Sequence, residues 1–488
     1  TPGKPALHFG DSSWTYAAFQ DRIARCARGL HRDLALKPGD RILYLGYNHL
    51  DFLVLLFAAA RLGLILIPLN WRLSKAEHRA IIADAVPSAL VVAASFRDYL
   101  GLDAWDDPAC RLITIDWQSA HGVRFDDLLH RDGDAPATGR PLDPLLIVYT
   151  SGTTGLAKGA MLTQDVLFWN AANSQDMHTL KPDDHVLTVL PMFHVGGLHI
   201  QTLPALALGA EVSLEGRFEP AATLRLIETR RATLTVLVPA TLRALIDHPE
   251  FAATDLSSLR QVATGSSIVP IDLIQAFHAR GIPVAQIYGT TETAPIAVYQ
   301  HADDARRAVG SCGKAGRHSD LKIVDDAGNE VEKGTVGEIL IRGPHVMSGY
   351  WQNQAATDQA LIDGWFHTGD LGRLDQTDNL WIEGRQDDLI KSGSERIYPG
   401  EIEALLRGVP GIDDLAVIGK SDPDWGEVPV AVIQQVGDQA AIGVDDLTPY
   451  LDGKLARFKW PKAIVKVDSL PRSALGKILR YRLREMLS

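Results

Sequence analysis

From Arg41 onward the apolar positions of this chain fall into two alternating kinds of run. Arg41 to Leu45, Leu64 to Ile67 and Ala89 to Val92 are short and rich in leucine, isoleucine and valine, the pattern of buried strands. Asp51 to Leu62 is apolar for too long to be a strand and predicts a buried helix. Ser74-Lys75-Ala76-Glu77 has the spacing of a capping box, which opens the next helix. Residues 95–142 are more polar and irregular. Leu145 to Tyr149 then reads as a strand, and a helix opens near Thr163. Val186 to Leu190 predicts a strand that stops at Pro191, followed by a helix over Gly197 to Leu208. Further strands are expected at Glu211 to Leu214, Leu234 to Val238, Gln261 to Ala263 and Val284 to Ile287, with helices between them. Such alternation implies βαβ units and parallel sheets covered by helices.

The pattern changes twice more. Gly, Pro and Asp become dense from Gly310 to Gly343, which predicts a turn-rich antiparallel subdomain. A boundary falls near Gly384 to Asp387. Beyond it Ile397 to Leu406 reads as a helix, Leu415 to Ile418 and Val428 to Gln434 as strands, and a basic helix closes the chain. The expected fold class is α/β. A large N-terminal domain over 1–385 holds helix-covered, mostly parallel sheets with a turn-rich β subdomain, and a small α/β domain occupies 386–488. At 488 residues more than one core is expected, because domains mostly split beyond roughly 250–300 residues.

The stretch between the strand at Leu145 and the helix near Thr163 carries the densest chemistry. Thr150-Ser151-Gly152-Thr153-Thr154-Gly155-Leu156-Ala157-Lys158-Gly159 alternates hydroxyls and glycines and ends on a cation. Glycines let backbone N–H groups approach a phosphate, and the hydroxyls add donors. The stretch is not the GTPase loop, which needs a hydroxyl after its lysine where Gly159 stands. Local chemistry alone also permits a solvated turn.

Composition narrows the class. The chain is 46% hydrophobic and 22% charged, with a net charge of −12. That balance suits a globular enzyme and argues against a nucleic-acid binder. A basic stretch from Lys454 to Arg484 is the exception, either a solvated face or a surface for an anionic ligand. Cys26, Cys110 and Cys312 are scattered without metal-type spacing, which suits a reducing, cytoplasmic setting. Arg61 and Pro68 break the apolar runs short of a membrane span. No signal peptide is recognised, and the start at Thr1, without methionine, leads us to expect a preceding segment.

The glycine-rich decapeptide resembles the signature loop of the adenylate-forming superfamily, which includes acyl-CoA synthetases, peptide-synthetase adenylation domains and beetle luciferases. Further segments match in the family's order: Leu190-Pro191-Met192-Phe193-His194, Tyr288-Gly289-Thr290-Thr291-Glu292, Gly337-Glu338 with Arg342-Gly343-Pro344, and Thr368-Gly369-Asp370. Gly384-Arg385-Gln386-Asp387-Asp388 and Pro471-Arg472-Ser473 with Gly476-Lys477 complete the set, which runs over nearly the whole chain.

The resemblance implies roles for single residues. Thr150, Ser151, Gly152, Thr153, Thr154, Gly155 and Lys158 would hold phosphates, and Gly265, Ser266, Ser267, Tyr288, Gly289, Thr290 and Thr291 would line the nucleotide. Glu292 would ligate Mg²⁺; locally it also reads as a helix-start carboxylate. Asp370 would clamp the ribose hydroxyls and Arg385 would contact ribose or phosphate, although a turn and a surface charge are the plain alternatives. Lys477 matches the lysine of adenylation, where local composition suggests only a solvated charge. Asp387 matches a hinge, and Ser392, Gly393 and Ser394 match the loop beside the pantetheine tunnel. The family pattern has glycine at Ser394. Phe193, His194, Val195, Gly196, Gly197, Val238, Ala263 and Ala294 would form the acyl pocket, with His194 as a wall or, secondarily, a proton-transfer group. An aspartate at the position of His194 would suit an amino-acid substrate, and its absence argues against one.

The expected function is an ATP-dependent acid:CoA ligase, with ATP, Mg²⁺ and CoA as cofactors or co-substrates. Alternatives are an adenylation enzyme that loads a separate carrier protein, a luciferase-like oxygenase and an inactive nucleotide-binding relative. The presumed pocket stretches Phe193 to Leu198, Val238 to Ala240, Ala263 to Ser267 and Thr293 to Val298 contain no Lys, Arg, Asp or Glu. A monocarboxylic acid with a fatty or aryl tail is therefore expected, since a second buried charge would lack a partner. Gly196, Gly197 and Gly265 are expected to leave room for bulk.

Overall fold

The structure is a computed structural model that describes residues 2–99, 109–130, 134–150, 157–392, 395–423, 425–435, 442–473 and 476–487. The chain forms two compact units. The first comprises Thr1–Leu321 with Ile341–Phe366, and the second comprises Lys322–Leu340 with His367–Ser488. The boundary expected at 385 and 386 lies inside the second unit.

The first unit is built on two large sheets. The nine-stranded sheet runs in the order Lys314–Ala315, Val298–Tyr299, Val284–Tyr288, Gln261–Thr264, Leu234–Leu237, His185–Thr188, Glu211–Leu214, Pro5–Phe9, Ser12–Thr15. Its central strands from Val284–Tyr288 to Pro5–Phe9 are all parallel. Four of these strands, His185–Thr188, Leu234–Leu237, Gln261–Thr264 and Val284–Tyr288, lead into motif segments at the same end of the sheet, where open α/β sheets place ligands. The eight-stranded sheet runs Gly349–Tyr350, Lys158–Thr163, Pro144–Thr150, Ile65–Pro68, Arg41–Leu45, Ala89–Ala93, Arg111–Ile115, Val123–Arg124.

The helix Leu50–Leu62 joins the cores of both sheets. Phe52, Leu53, Val54, Leu55 and Leu56 are buried in one cluster with Ile42, Leu66 and Leu146 of one sheet and Leu7, Val212 and Leu234 of the other. Truncating a residue such as Leu53 to alanine there would cost about 2–5 kcal/mol. The helix ends where Gly63 takes a left-handed φ of 70°. Ser74 caps Lys75–Ala85 through the expected reciprocal bonds with Glu77.

Two expectations need correction. The segment after the glycine-rich loop is not simply a lead into a helix. Lys158–Thr163 is a strand, paired antiparallel with Pro144–Thr150, and Thr163 both ends it and caps the helix Gln164–His178. The helix expected over 197–208 is also broken into Val195–His199 and Thr202–Leu208. Pro204 has no N–H to donate to the Ile200 carbonyl, and the Ser174 hydroxyl donates to that oxygen instead, at 2.5 Å.

In the second unit, Ile412–Asp422 and Gly426–Gln435 form a long antiparallel pair, with Ala463–Val467 added parallel to the latter. Pro399–Leu406 packs Ile402 and Leu406 against Leu415, Val417 and Ala431. Within the region expected to be turn-rich, Asp320–Val324 and Gly337–Arg342 are neighbours in a five-stranded sheet that continues to Trp365–Leu374, which pairs antiparallel with Leu380–Arg385.

Candidate functional site

Four neighbouring parallel strands of the first unit end in the segments singled out by the sequence. His185–Thr188 leads to Pro191 through His194, Leu234–Leu237 to Val238, Gln261–Thr264 to Gly265-Ser266-Ser267, and Val284–Tyr288 to Gly289-Thr290. Ala263 is buried on its strand, and Tyr288 is buried at the end of its own. Ser266 holds a left-handed φ of 76° and Ala294 one of 65°. Residues other than glycine seldom adopt that region, and it clusters at ligand sites.

Glu292 sits in the short turn Thr291–Thr293, and its carboxylate is buried. The Tyr350 hydroxyl donates to Glu292 Oε1 at 2.9 Å. The Lys158 ammonium lies 5.4 Å from the centre of the Tyr350 ring. Thr290 Oγ1, two residues before Glu292, is buried with no hydrogen-bond partner among the described residues. A buried carboxylate and, two residues before it, a hydroxyl without a partner among the described residues are oxygen donors of the kind Mg²⁺ takes. Glu292 with Thr290 therefore fits a hard divalent cation. Tyr350 was not legible as part of this group, because it lies far along the chain and reaches Glu292 only through sheet pairing.

Thr150 and Lys158 face each other across the hairpin, and the Thr150 hydroxyl donates to the Lys158 carbonyl at 3.3 Å. Together they close the base of the glycine-rich loop. Ser151, Gly152, Thr153, Thr154 and Gly155 lie outside the described residues.

His194 caps the helix Val195–His199, with Nδ1 accepting the Gly196 N–H at 3.0 Å. Burial pushes its pKa down to about 4, so the imidazole is neutral near pH 7. That state suits a wall and not a resident proton donor. Phe193 and Val195 are buried beside it, and the Phe193 ring meets Trp71 edge to face at 6.2 Å. The room expected at Gly197 and Gly265 is absent. A Cβ on Gly197 would stand 2.4 Å from the Pro191 carbonyl oxygen, and one on Gly265 would stand 2.7 Å from that of Ile287. These glycines are required by close backbone approach. Gly196 is less tight, with His194 Nδ1 at 3.3 Å from the added atom.

The second unit brings together Asp370, Arg385 and Lys477. Asp370 and Arg385 are cross-strand partners, and Arg385 Nε donates to Asp370 Oδ1 at 2.8 Å. The Thr368 hydroxyl accepts the Asp370 N–H at 3.0 Å. Glu338 Oε1 accepts the Gly369 N–H at 3.1 Å, which steadies the turn before Asp370. Lys477 has its pKa lowered by burial and then by Arg385, with Asp370 and Asp388 acting the other way. It is not a freely solvated terminal charge. Asp387 lies in the single turn Gln386–Asp388, and Arg484 donates to its carbonyl at 3.1 Å. Ser392 is buried and pairs with Glu395; Gly393 and Ser394 lie outside the described residues.

The family profile described as AMP-binding enzyme matches residues 1–351, and that of the AMP-binding enzyme C-terminal domain matches 401–477. The chain belongs to the AMP-binding enzyme family. Among curated relatives of this family, the indoleacetate–CoA ligase of Aromatoleum aromaticum is 46% identical, covering 100% of this chain and 96% of that protein. The feruloyl-CoA synthase of an Amycolatopsis species is 38% identical over 99% of this chain and 96% of its own. The crystal structure of ATP-bound MatB from Rhodopseudomonas palustris superposes with a TM-score of 0.90 at 31% identity, covering 99% of this chain and 96% of that one. No helix among the described residues is long and apolar enough to cross a membrane.

Proposed function

We propose that this AMP-binding enzyme is an ATP-dependent acid:CoA ligase that activates a monocarboxylic acid with an apolar, fatty or aryl tail. The observation that carries the reading is the set of parallel strand ends: nucleotide-type segments and a charge-free apolar segment open at the same edge of one sheet. The relatives that act on indoleacetate and ferulate support the aryl side of this range.

The substrate carboxylate attacks the α-phosphate of ATP, a P–O bond forms, and pyrophosphate leaves. The CoA thiol then attacks the acyl carbon, the bond to AMP breaks, and the thioester remains. Bound Mg²⁺ would neutralise phosphate oxygens as the pyrophosphate departs. Glu292, oriented by Tyr350, and Thr290 would hold it. In the second unit Lys477 would meet charge that develops on the α-phosphate and acyl carboxylate, while Asp370, fixed by Arg385, would accept from the ribose hydroxyls. No side-chain nucleophile is required, because AMP is itself the leaving group and catalysis rests on positioning. A hinge at Asp387 would let 386–488, as a small C-terminal domain following the large domain of 1–385 in sequence, serve the two half-reactions in turn. Ser392, Gly393 and Ser394 would border the pantetheine path in the second.

The three cysteines, Cys26, Cys110 and Cys312, are few and scattered without metal-type spacing, which supports a reducing, cytoplasmic setting. The deciding experiment is CoA-dependent AMP release with a panel of acids. Indoleacetate, hydroxycinnamates or fatty acids should be turned over. Preference for malonate, succinate or an amino acid would overturn the substrate class. Pyrophosphate release without any CoA-dependent thioester would point to a carrier-protein acceptor.

A further inference from the structure

Three side chains outside the nucleotide and acyl segments meet on one face of the nine-stranded sheet. His8 lies on Pro5–Phe9, His185 begins His185–Thr188, and Glu211 begins Glu211–Leu214, the strand between the other two. In the parallel register His185 is opposite Glu211, and His8 is opposite Ser213. Side chains two apart on a strand share a face, so Glu211 and Ser213 point the same way and the flanking histidines join them. His8 Nε2 stands 3.3 Å from Glu211 Oε2, and His185 Nδ1 stands 3.9 Å from the same oxygen. One ligand atom from each residue can be chosen so that all lie within 4.8 Å of one another.

We propose that His8, His185 and Glu211 bind a divalent transition-metal ion of the zinc class. Two imidazoles and a carboxylate are a zinc-type donor set that leaves one tetrahedral position for water. Metal–ligand bonds of about 2.0–2.1 Å place tetrahedral ligands about 3.3–3.4 Å apart. The His8–Glu211 separation of 3.3 Å already meets this, the 3.9 Å between His185 and Glu211 must shorten slightly, and the two imidazole nitrogens, within 4.8 Å of each other, must draw together as the ion binds. The outer contacts are also those of a metal site. The Ser213 hydroxyl is 2.8 Å from His185 Nε2, which turns Nδ1 toward Glu211.

Without an ion the group is only partly satisfied: His185 keeps Ser213 and a backbone hydrogen bond to Arg230, and Glu211 keeps His8. The His8 and His185 side chains are only 10% and 12% exposed, their ring centres are 5.5 Å apart, and His8 Nδ1 has no hydrogen-bond partner among the described residues. The cation that acts on His185 is Arg230, and the Lys4 ammonium is engaged by the carbonyl oxygens of Pro182 and Gly209. Glu211, 29% exposed, supplies the open side through which an ion would enter. The bound ion would tie the N-terminal strand to two inner strands of the sheet, far along the chain. Mg²⁺ prefers oxygen ligands to imidazole nitrogen, so the ion used with ATP would not compete.

The test uses the full chain, stripped with a chelator and titrated with zinc chloride. One zinc per chain should bind, and the melting temperature should rise on zinc addition. His8→Gln and Glu211→Gln should each weaken zinc binding at least about tenfold and abolish the rise. Absence of stoichiometric binding, or binding unchanged in folded variants, overturns the proposal. Should either variant fail to fold, a zinc-soaked wild-type crystal measured at the zinc absorption edge decides. An anomalous peak among His8, His185 and Glu211 supports the site, and a peak elsewhere or none refutes it.

Discussion

The Tyr350 hydroxyl donates to Glu292 Oε1 at 2.9 Å, and the two residues come from different sheets. Glu292 follows Val284–Tyr288 of the nine-stranded sheet, whereas Tyr350 lies on Gly349–Tyr350 at the edge of the eight-stranded one. That edge pairs with Lys158–Thr163, so the Tyr350 ring also meets the Lys158 ammonium. One aromatic side chain thus links the carboxylate proposed to hold Mg²⁺ with the lysine proposed to hold phosphate.

Removing only the Tyr350 hydroxyl tests this link. Tyr350→Phe keeps the ring beneath Lys158 but leaves Glu292 without its donor. Hydrogen bonds to charged groups are worth about 1.5–3 kcal/mol, so adenylation should fall roughly tenfold to a hundredfold. The half-saturating Mg²⁺ concentration should rise as well, because a less fixed carboxylate is a poorer ligand. Pyrophosphate release measured against Mg²⁺ would show it. An unchanged Mg²⁺ dependence would separate Tyr350 from metal binding.

Lys477 should matter to one half-reaction only. Lys477→Ala removes a cation aimed at charge built up during adenylation, and comparable losses cost about 10²–10³ in rate. Acyl-adenylate supplied chemically should still become acyl-CoA at close to the wild-type rate. The lowered pKa adds a second readout. Burial and Arg385 favour the neutral amine, so adenylation should lose activity on the alkaline side below the ordinary lysine value of 10.5. In Lys477→Arg the cation does not titrate in that range, and the alkaline limb should disappear from whatever rate remains. If single-turnover adenylation is normal in Lys477→Ala, the assignment fails.

How much of this was legible in the sequence depended on the range of the contact. Glu211–Leu214 matches its expected bounds, and the Ser74 capping box is present, because both rest on neighbours within a few residues. The motif order located the strand ends and the Asp370–Arg385 pairing segment. The strand Lys158–Thr163 was missed. Its alternation is short, runs directly into a helix cap, and becomes a strand only through its partner Pro144–Thr150. The Tyr350–Glu292 bond and the environment of Lys477 were hidden for the same reason. Gly197 was read as open space, whereas the backbone at Pro191 fills it, a distinction that depends on where a distant carbonyl points.

Asp387→Pro should uncouple the proposed domain alternation. Proline fixes φ near −65° and removes an N–H, which would hold the Gln386–Asp388 turn in one arrangement. Adenylate formation should persist while thioester formation drops sharply. Rapid-quench measurement of the two half-reactions distinguishes this from general damage, which would slow both alike.

Glu215 predicts a pH effect on stability that is separate from catalysis. It follows Glu211–Leu214, its side chain is buried, and the Thr223 hydroxyl donates to Oε2 at 2.7 Å. Burial raises its pKa from 4.5 to about 7, with Glu219 adding to the shift and Thr223 opposing it. The folded chain therefore keeps this proton over a pH range in which the unfolded chain releases it. Where the folded state binds more protons, stability falls as pH rises. The contribution of the protonated carboxyl is fully present below about 4.5 and is lost as pH passes through about 7. Glu215→Gln keeps an oxygen for the Thr223 hydroxyl and cannot ionise. The variant and wild type should melt at similar temperatures near about pH 5, and the variant should gain steadily on wild type toward about pH 8. A melting-temperature difference that stays flat across that range would show that Glu215 does not hold its proton in the folded chain.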